Sequence, residues 1–114
     1  MKPLLPVLRE RKRYVAFEIL TEDGKKPSFK DVSNAIWQGV LAYIGQLGAA
    51  RAGIHVLAER YNPEKMRGIV RVAHTSLDEF RASLTMIREI AGSPVIVRSV
   101  GVSGILKKAA ERYL

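Results

Sequence analysis

At 114 residues with a formal charge of +8, from 19 Lys and Arg against 11 Asp and Glu, the chain reads as one basic domain with a modest core. A hydrophobic content of 47% excludes a disordered cationic tail, and no apolar run approaches the ~20 residues that span a bilayer. Charge of this kind on a folded body favours a polyanionic partner, with no membrane expected. The opening Met1-Lys2-Pro3-Leu4-Leu5-Pro6-Val7-Leu8 is too short and too broken by proline for the apolar core of a signal peptide. With no Cys, disulfides and thiolate chemistry are excluded, which suits a reducing, cytoplasmic location.

Residues 1–12 form an expected basic arm, Arg9-Glu10-Arg11-Lys12-Arg13 leading into the fold, and residues 13–114 a single domain. Residues 13–20 alternate with period two, placing Val15, Phe17 and Ile19 on one face of a strand and Tyr14, Ala16, Glu18 and Leu20 on the other. Glu22-Asp23-Gly24-Lys25-Lys26-Pro27 reads as a turn. Ser28, with Asp31 three residues on, resembles a capping box for a long helix. Its inward stripe is Val32, Ala35, Ile36, Val40, Tyr43, Ile44 and Leu47, and Gly48 is its expected terminator.

A second strand is predicted over residues 54–61, a turn at Asn62-Pro63-Glu64-Lys65, and a third strand over residues 68–74. Ser76, followed by Glu79, should cap a second helix with Phe80, Leu84 and Ile87 inward, ended by Gly92-Ser93-Pro94. A fourth strand covers residues 95–100. Ser103 should cap a last helix over residues 103–114, with Leu106, Ala109, Ala110 and Tyr113 on its apolar side. The order β-α-β-β-α-β plus a C-terminal helix is that of an α+β, ferredoxin-like (RRM-like) sandwich. Two helices would cover one sheet face. Tyr14, Leu57, Ile96 and Val100 leave the other half-apolar, so the last helix, the arm or a second subunit should cover it.

An RNA-recognition motif shares this topology and stacks bases on aromatics of its third strand. Here Arg67-Gly68-Ile69-Val70-Arg71-Val72-Ala73-His74 keeps the Arg-Gly opening, which also suits an ordinary turn glycine, and has no aromatic. Phosphate contact is one use of this charge, beside the plainer readings of a solvated charged leader and a solvated helix face. Its candidates are the arm residues Arg9, Arg11, Lys12 and Arg13 and the last-helix residues Lys107, Lys108 and Arg112. Gly101-Val102-Ser103-Gly104 before that helix is a weak anion-binding signal beside simple capping. His55 and His74 stand on separate strands with no Cys and no paired carboxylate at ligand spacing. A His beside a helix start, like His74, more often bonds locally than catalyses. Asp78 and Glu79 fit a helix's first turn, and Trp37 and Phe29 fit core or interface. No catalytic residue and no metal ligand is expected.

Three segments carry a family resemblance: Leu8-Arg9-Glu10-Arg11-Lys12-Arg13-Tyr14-Val15-Ala16-Phe17, Phe80-Arg81-Ala82-Ser83-Leu84, and Val100-Gly101-Val102-Ser103-Gly104-Ile105-Leu106-Lys107. They resemble the Pop-five family, that of archaeal ribonuclease P protein component 2, in the same element order along the whole chain. The loop over residues 21–27 and the turn over residues 61–67 match no family pattern. The resemblance implies a ferredoxin-like protein subunit of ribonuclease P, the RNA-based endoribonuclease that removes the 5′ leader of precursor tRNA. It implies hydrolysis by the RNA subunit with Mg²⁺ bound there, so no cofactor on this chain. It implies ribonuclease P RNA as partner, precursor tRNA indirectly, an Rpp-thirty-type TIM-barrel subunit, and a possible homodimer within a heterotetramer. It carries RNA contact onto Arg9, Lys12, Arg13 and Lys107, and matches Arg81 and Ser83 to a motif without assigning their role. The residues by themselves leave two alternatives: a general structured-RNA-binding protein of ribosomal type, and a ferredoxin-like domain that senses a small molecule.

Overall fold

The computed structural model describes residues 11–114. The central strand is β1 (Lys12–Thr21), and its alternation sorts side chains to two faces as expected. β1 pairs antiparallel with β3 (Arg67–Ala73) on one side and with β5 (Ser93–Ser103) on the other. Short strands extend both flanks: β2 (His55–Val56) lies beside β3 and β4 (Glu89–Ile90) beside β5, so the order is β2-β3-β1-β5-β4. Apart from β4, this is the expected ferredoxin-like arrangement. Helices α1 (Phe29–Ala52) and α2 (Leu77–Leu84) cover one face over Val15, Phe17, Ile19, Val70, Val72 and Val97. Fully buried Phe17 and Phe80 each contribute about 1.5–3 kcal/mol through area removed from water. Helix α3 (Leu106–Tyr113) lies on the opposite face, against Ala16, Leu57 and Ile69.

The α1 N-terminus forms as its sequence suggests, with the Ser28 hydroxyl accepting from the Asp31 N–H at 3.3 Å. Its C-terminal half differs. Gly45 leaves helical geometry (φ 74°, ψ 178°), and the helix resumes to Ala52, where left-handed Gly53 ends it rather than Gly48. The break shifts the stripe beyond it, so Leu47, expected inward, is 69% exposed, and Tyr43, two residues before the break and also expected inward, is 50% exposed.

The strand predicted over residues 54–61 shrinks to two residues. After the Leu57 N–H bonds the Ile69 carbonyl, a 3₁₀ turn at Ala58–Arg60 carries the chain off the sheet. Tyr61 is the reason: its ring stacks on Phe17, 6.4 Å between centroids, and its hydroxyl donates to the Pro27 carbonyl at 2.9 Å. Gly68 is a packing glycine inside β3 rather than a turn glycine. A Cβ there would meet Phe17 Cζ at 2.7 Å.

Helix α2 ends at Leu84, short of Gly92-Ser93-Pro94. Turn bonds carry Met86 and the buried Ile87 onward, and β4 then pairs with Ser93 and Pro94 around Ala91 and Gly92. Both turn residues have positive φ, as a type I′ hairpin turn requires. Ser76 makes no side-chain cap. Ser103 does not cap α3 either: it ends β5, and its hydroxyl accepts from the Ile105 N–H at 3.1 Å, turning the strand toward a helix that starts at Leu106.

Candidate nucleic-acid interface

The register of β1 with β5 pairs Tyr14 with Ser103, so the first residues of β1 lie beside the chain that leads into α3. The Arg13 guanidinium donates to the Lys12 carbonyl at 3.1 Å and sits close to Gly104, where a Cβ would be 3.7 Å from Nη1. Lys107 and Lys108 are exposed in the first turn of α3. Arg11, Lys12 and Arg13 therefore share one end of the molecule with Lys107 and Lys108, although about ninety residues separate them in sequence. Arg9 lies outside the described residues.

That end gathers further charge the sequence reading left unused. Arg51 occupies the last turn of α1, and the Lys12 ammonium lies against its terminating Gly53. Arg71 pairs across β3 with both Tyr14 and His55, and its Nη2 lies 3.2 Å from His55 Nδ1. The Arg71 Nε is buried with no partner among the described residues. Two hydrogen-bond contacts tie His74 to the Arg11 carbonyl, from its N–H at 2.8 Å and from Nδ1 at 3.2 Å, so its partner is a residue 63 positions away rather than the adjacent helix start. At the opposite end of β1 the signs mix, as Glu22, Asp23 and Glu64 accompany Lys25, Lys26 and Lys65. There the Lys26 ammonium pairs with Glu64 at 2.6 Å.

Arg112 lies five residues, about 7.5 Å along the helix axis, from Lys107 and one turn beyond Lys108, beside Tyr113, whose carbonyl accepts from Arg67 Nη1 at 3.0 Å. Arg67 belongs to a second basic group built around Glu18, which faces it across β1–β3 and faces Arg98 across β1–β5. Arg67 Nη2 reaches Glu18 Oε2 at 2.9 Å, and Arg98 pairs with Oε1. Burial pushes the Glu18 carboxyl up, but hydrogen bonds and charge from Arg98 and then Arg67 outweigh it and hold its pKa below the ordinary carboxylate value. Glu18 thus stays ionised and orients two guanidinium groups, with the Arg98 side chain 63% exposed.

Between these groups α3 occupies the surface on which an RNA-recognition motif would stack bases. Tyr113 lies across Gly101, Ala109 is fully buried, and Ala16 and Ile69 lie beneath the helix. Gly101, Val102 and Ser103 are strand residues of β5, so the weak anion-binding turn read from them does not form. What remains available is cationic side chains around a covered sheet, which suits phosphates rather than bases.

The motif residues Arg81 and Ser83 acquire roles in packing. Ser83 is buried, donates to the Phe80 carbonyl at 2.6 Å, and faces Gly39 of α1, where a Cβ would meet its carbonyl oxygen at 3.1 Å. Small residues on both helices permit that close crossing. Arg81 Nε donates to Ser99 Oγ at 3.1 Å, tying α2 to β5. Among the described residues no group of three or more His, Asp or Glu is placed to hold a metal, and no helix is long and apolar enough to cross a membrane.

Comparison with known proteins gives a consistent result. The chain is 40% identical over 114 residues to ribonuclease P protein component 2 of Thermococcus kodakarensis, covering 99% of this chain and 91% of that one. It is 39% identical to the protein of the same name from Archaeoglobus fulgidus, covering 100% and 98%, and 37% identical to that of Methanocaldococcus jannaschii, covering 100% and 81%. A chain in a cryo-EM structure of yeast ribonuclease MRP shares the fold, with a TM-score of 0.63 at 17% identity over 84% of this chain and 76% of that one. The sequence profile of the Rpp14/Pop5 family matches residues 13–114, and the chain belongs to that family.

Proposed function

We propose that this chain is a protein subunit of ribonuclease P that binds the catalytic RNA through phosphate contacts and favours its active conformation at lower Mg²⁺. The observation that carries the reading is the convergence of Arg11, Lys12 and Arg13 with Lys107 and Lys108 at one end of the sheet. Arg51 and Arg71 at the same end support it, and Arg9, two residues before Arg11 in sequence, is a further RNA contact in this reading. Arg112, one turn beyond Lys108 on α3, continues the contact along the helix. About five phosphate contacts give a log–log salt slope of roughly −3 to −4.5.

Hydrolysis and its Mg²⁺ belong to the RNA in this reading, and the chain supplies positive charge without a cofactor of its own. Precursor tRNA is engaged indirectly, and the location is cytoplasmic. An Rpp-thirty-type subunit, and a second copy within a heterotetramer, are the protein partners. The exposed Leu41, Tyr43 and Leu47 of α1 support such a protein contact. Family membership favours this function over a general RNA-packaging protein or a small-molecule sensor.

The test is cleavage of precursor tRNA by an archaeal ribonuclease P RNA at limiting Mg²⁺, with the chain, the TIM-barrel subunit, both or neither. Cleavage that needs both proteins is the expected result. No rescue, together with equally tight binding to unrelated structured RNAs, would replace this reading by general RNA binding.

A further inference from the structure

Strand β5 is paired with β1 from Val95 to Ser103, but with β4 only at Ser93 and Pro94. The Val95 N–H points away from β1, to the Arg88 carbonyl at 2.9 Å. By the alternation of an antiparallel strand, the N–H and C=O groups of Val97 and Ser99 point the same way. No strand among the described residues pairs with that stretch. Beside it runs an open groove of about 440 Å³, bounded by Thr85, Ile87 and Arg88 on one side and by Ile96, Val97 and Arg98 on the other.

The flanking side chains have a definite chemistry. Arg81, Arg88 and Arg98 are exposed along this edge. Glu89 is the neighbouring acid on β4, and Glu18 is already held by Arg67 and Arg98. Ile96 is 63% exposed and Met86 is 49% exposed, so apolar surface alternates with the positive charge.

We propose that this edge of β5 takes up an extended segment of a protein partner whose side chains alternate acidic and aliphatic. The segment adds a strand beside Val97 and Ser99. An open strand edge is satisfied most fully by another peptide backbone, which RNA does not possess. The arginines select acidic side chains, and Ile96 and Met86 favour aliphatic ones. A second copy paired edge to edge across a two-fold axis would set these arginines against their equivalents, a like-charge arrangement that opposes association. Residues 1–10 are a poor occupant, because they carry Lys2 and Arg9 and two prolines that lack the N–H a strand requires. The inference goes beyond the proposed RNA contacts and does not depend on them.

The experiment is amide hydrogen exchange by NMR on the full chain, with a peptide of about eight residues alternating Glu and Val, long enough for one strand. The Lys–Val counterpart and an oligoribonucleotide serve as the other probes. At saturation the Glu–Val peptide should slow exchange at Val97 about tenfold, and the Lys–Val peptide should bind about tenfold more weakly. Arg88→Glu and, separately, Arg81→Glu should each weaken the Glu–Val peptide about fivefold, and neither touches Glu18. Equal binding of the two peptides, or no protection of Val97 by either, would overturn the proposal. Protection of Val97 by the oligoribonucleotide would make the edge an RNA contact instead. Protection that rises with protein concentration alone would assign the edge to a second copy. Protection lost on removing residues 1–10 would assign it to the chain's own N-terminal segment.

Discussion

Gly101→Ala offers a direct probe of how α3 is held on the sheet. A Cβ at residue 101 would lie 2.1 Å from Tyr113 Cζ, a separation that cannot persist. Two relaxations are available: bending β5 away from β1, or swinging Tyr113 off the sheet. The first disturbs the longest pairing in the fold, whereas the second moves one ring in the last turn of a two-turn helix. The ring should therefore move, and the cost is set by what it loses. A half-buried Tyr forfeits roughly 80 Å² of contact, about 2 kcal/mol at ~25 cal/mol per Å². Loss of the Arg67–Tyr113 hydrogen bond would add about 1 kcal/mol if the last turn frays with it.

This mechanism makes the two sites non-additive. Gly101→Ala and Tyr113→Ala should each destabilise by about 2 kcal/mol, and the double variant by about 2 rather than 4 kcal/mol, since the ring can be lost only once. Urea unfolding followed by circular dichroism measures all three. A double variant costing close to the sum of the singles would refute the reasoning, because it would mean that Gly101→Ala disturbs the β1–β5 pairing.

Replacing Arg11, Lys12, Arg13 and Lys107 together with Ala should flatten the salt dependence of RNA binding by about 3 in log–log slope while the melting temperature holds; filter binding across a salt series checks this. Glu18→Gln should destabilise the fold by about 1–2 kcal/mol at neutral pH, discounted from a fully buried pair because Arg98 is largely exposed. The Glu18 carboxyl is depressed in the folded state, so its contribution is complete above the unfolded carboxylate pKa of about 4.3 and is lost as pH falls through the lower folded value. The gap between wild type and Glu18→Gln should accordingly close on acidification, in unfolding measured from neutral pH to about pH 3. Gly39→Val should cost about 2–3 kcal/mol, because the added atoms meet Ile87 and the Ser83 carbonyl at about 3 Å where α1 and α2 cross; thermal unfolding reads the loss.

Legibility followed the range of the interactions involved. Period-two alternation in residues 13–20 identified β1 and its inward set because burial of Val15, Phe17 and Ile19 is a property of the strand itself. The apolar side of α3 was readable for the same reason, and it proved to be the cover of the second sheet face. Element ends were less legible where a distant partner decided them. Tyr61 ends the second strand by stacking on Phe17, and left-handed Ala91 makes a hairpin that no turn composition announced. Gly48 is the composition's stop signal in α1, yet the helix breaks at Gly45 and ends at Gly53.

The basic candidates were legible as two runs of charge at opposite ends of the chain, but their grouping was not. The sequence alone determined that the domain is cationic, lacks stacking aromatics on its third strand, and carries the pattern of a ferredoxin-like fold, since charge and hydrophobic period are local properties. Only tertiary structure joined Arg13 to the start of α3, tied Arg67 to the last turn of α3, and paired Arg67 and Arg98 with one buried carboxylate. Those contacts bring together residues separated by 46 to 91 positions, and strand register, which no local pattern encodes, decides which of them meet.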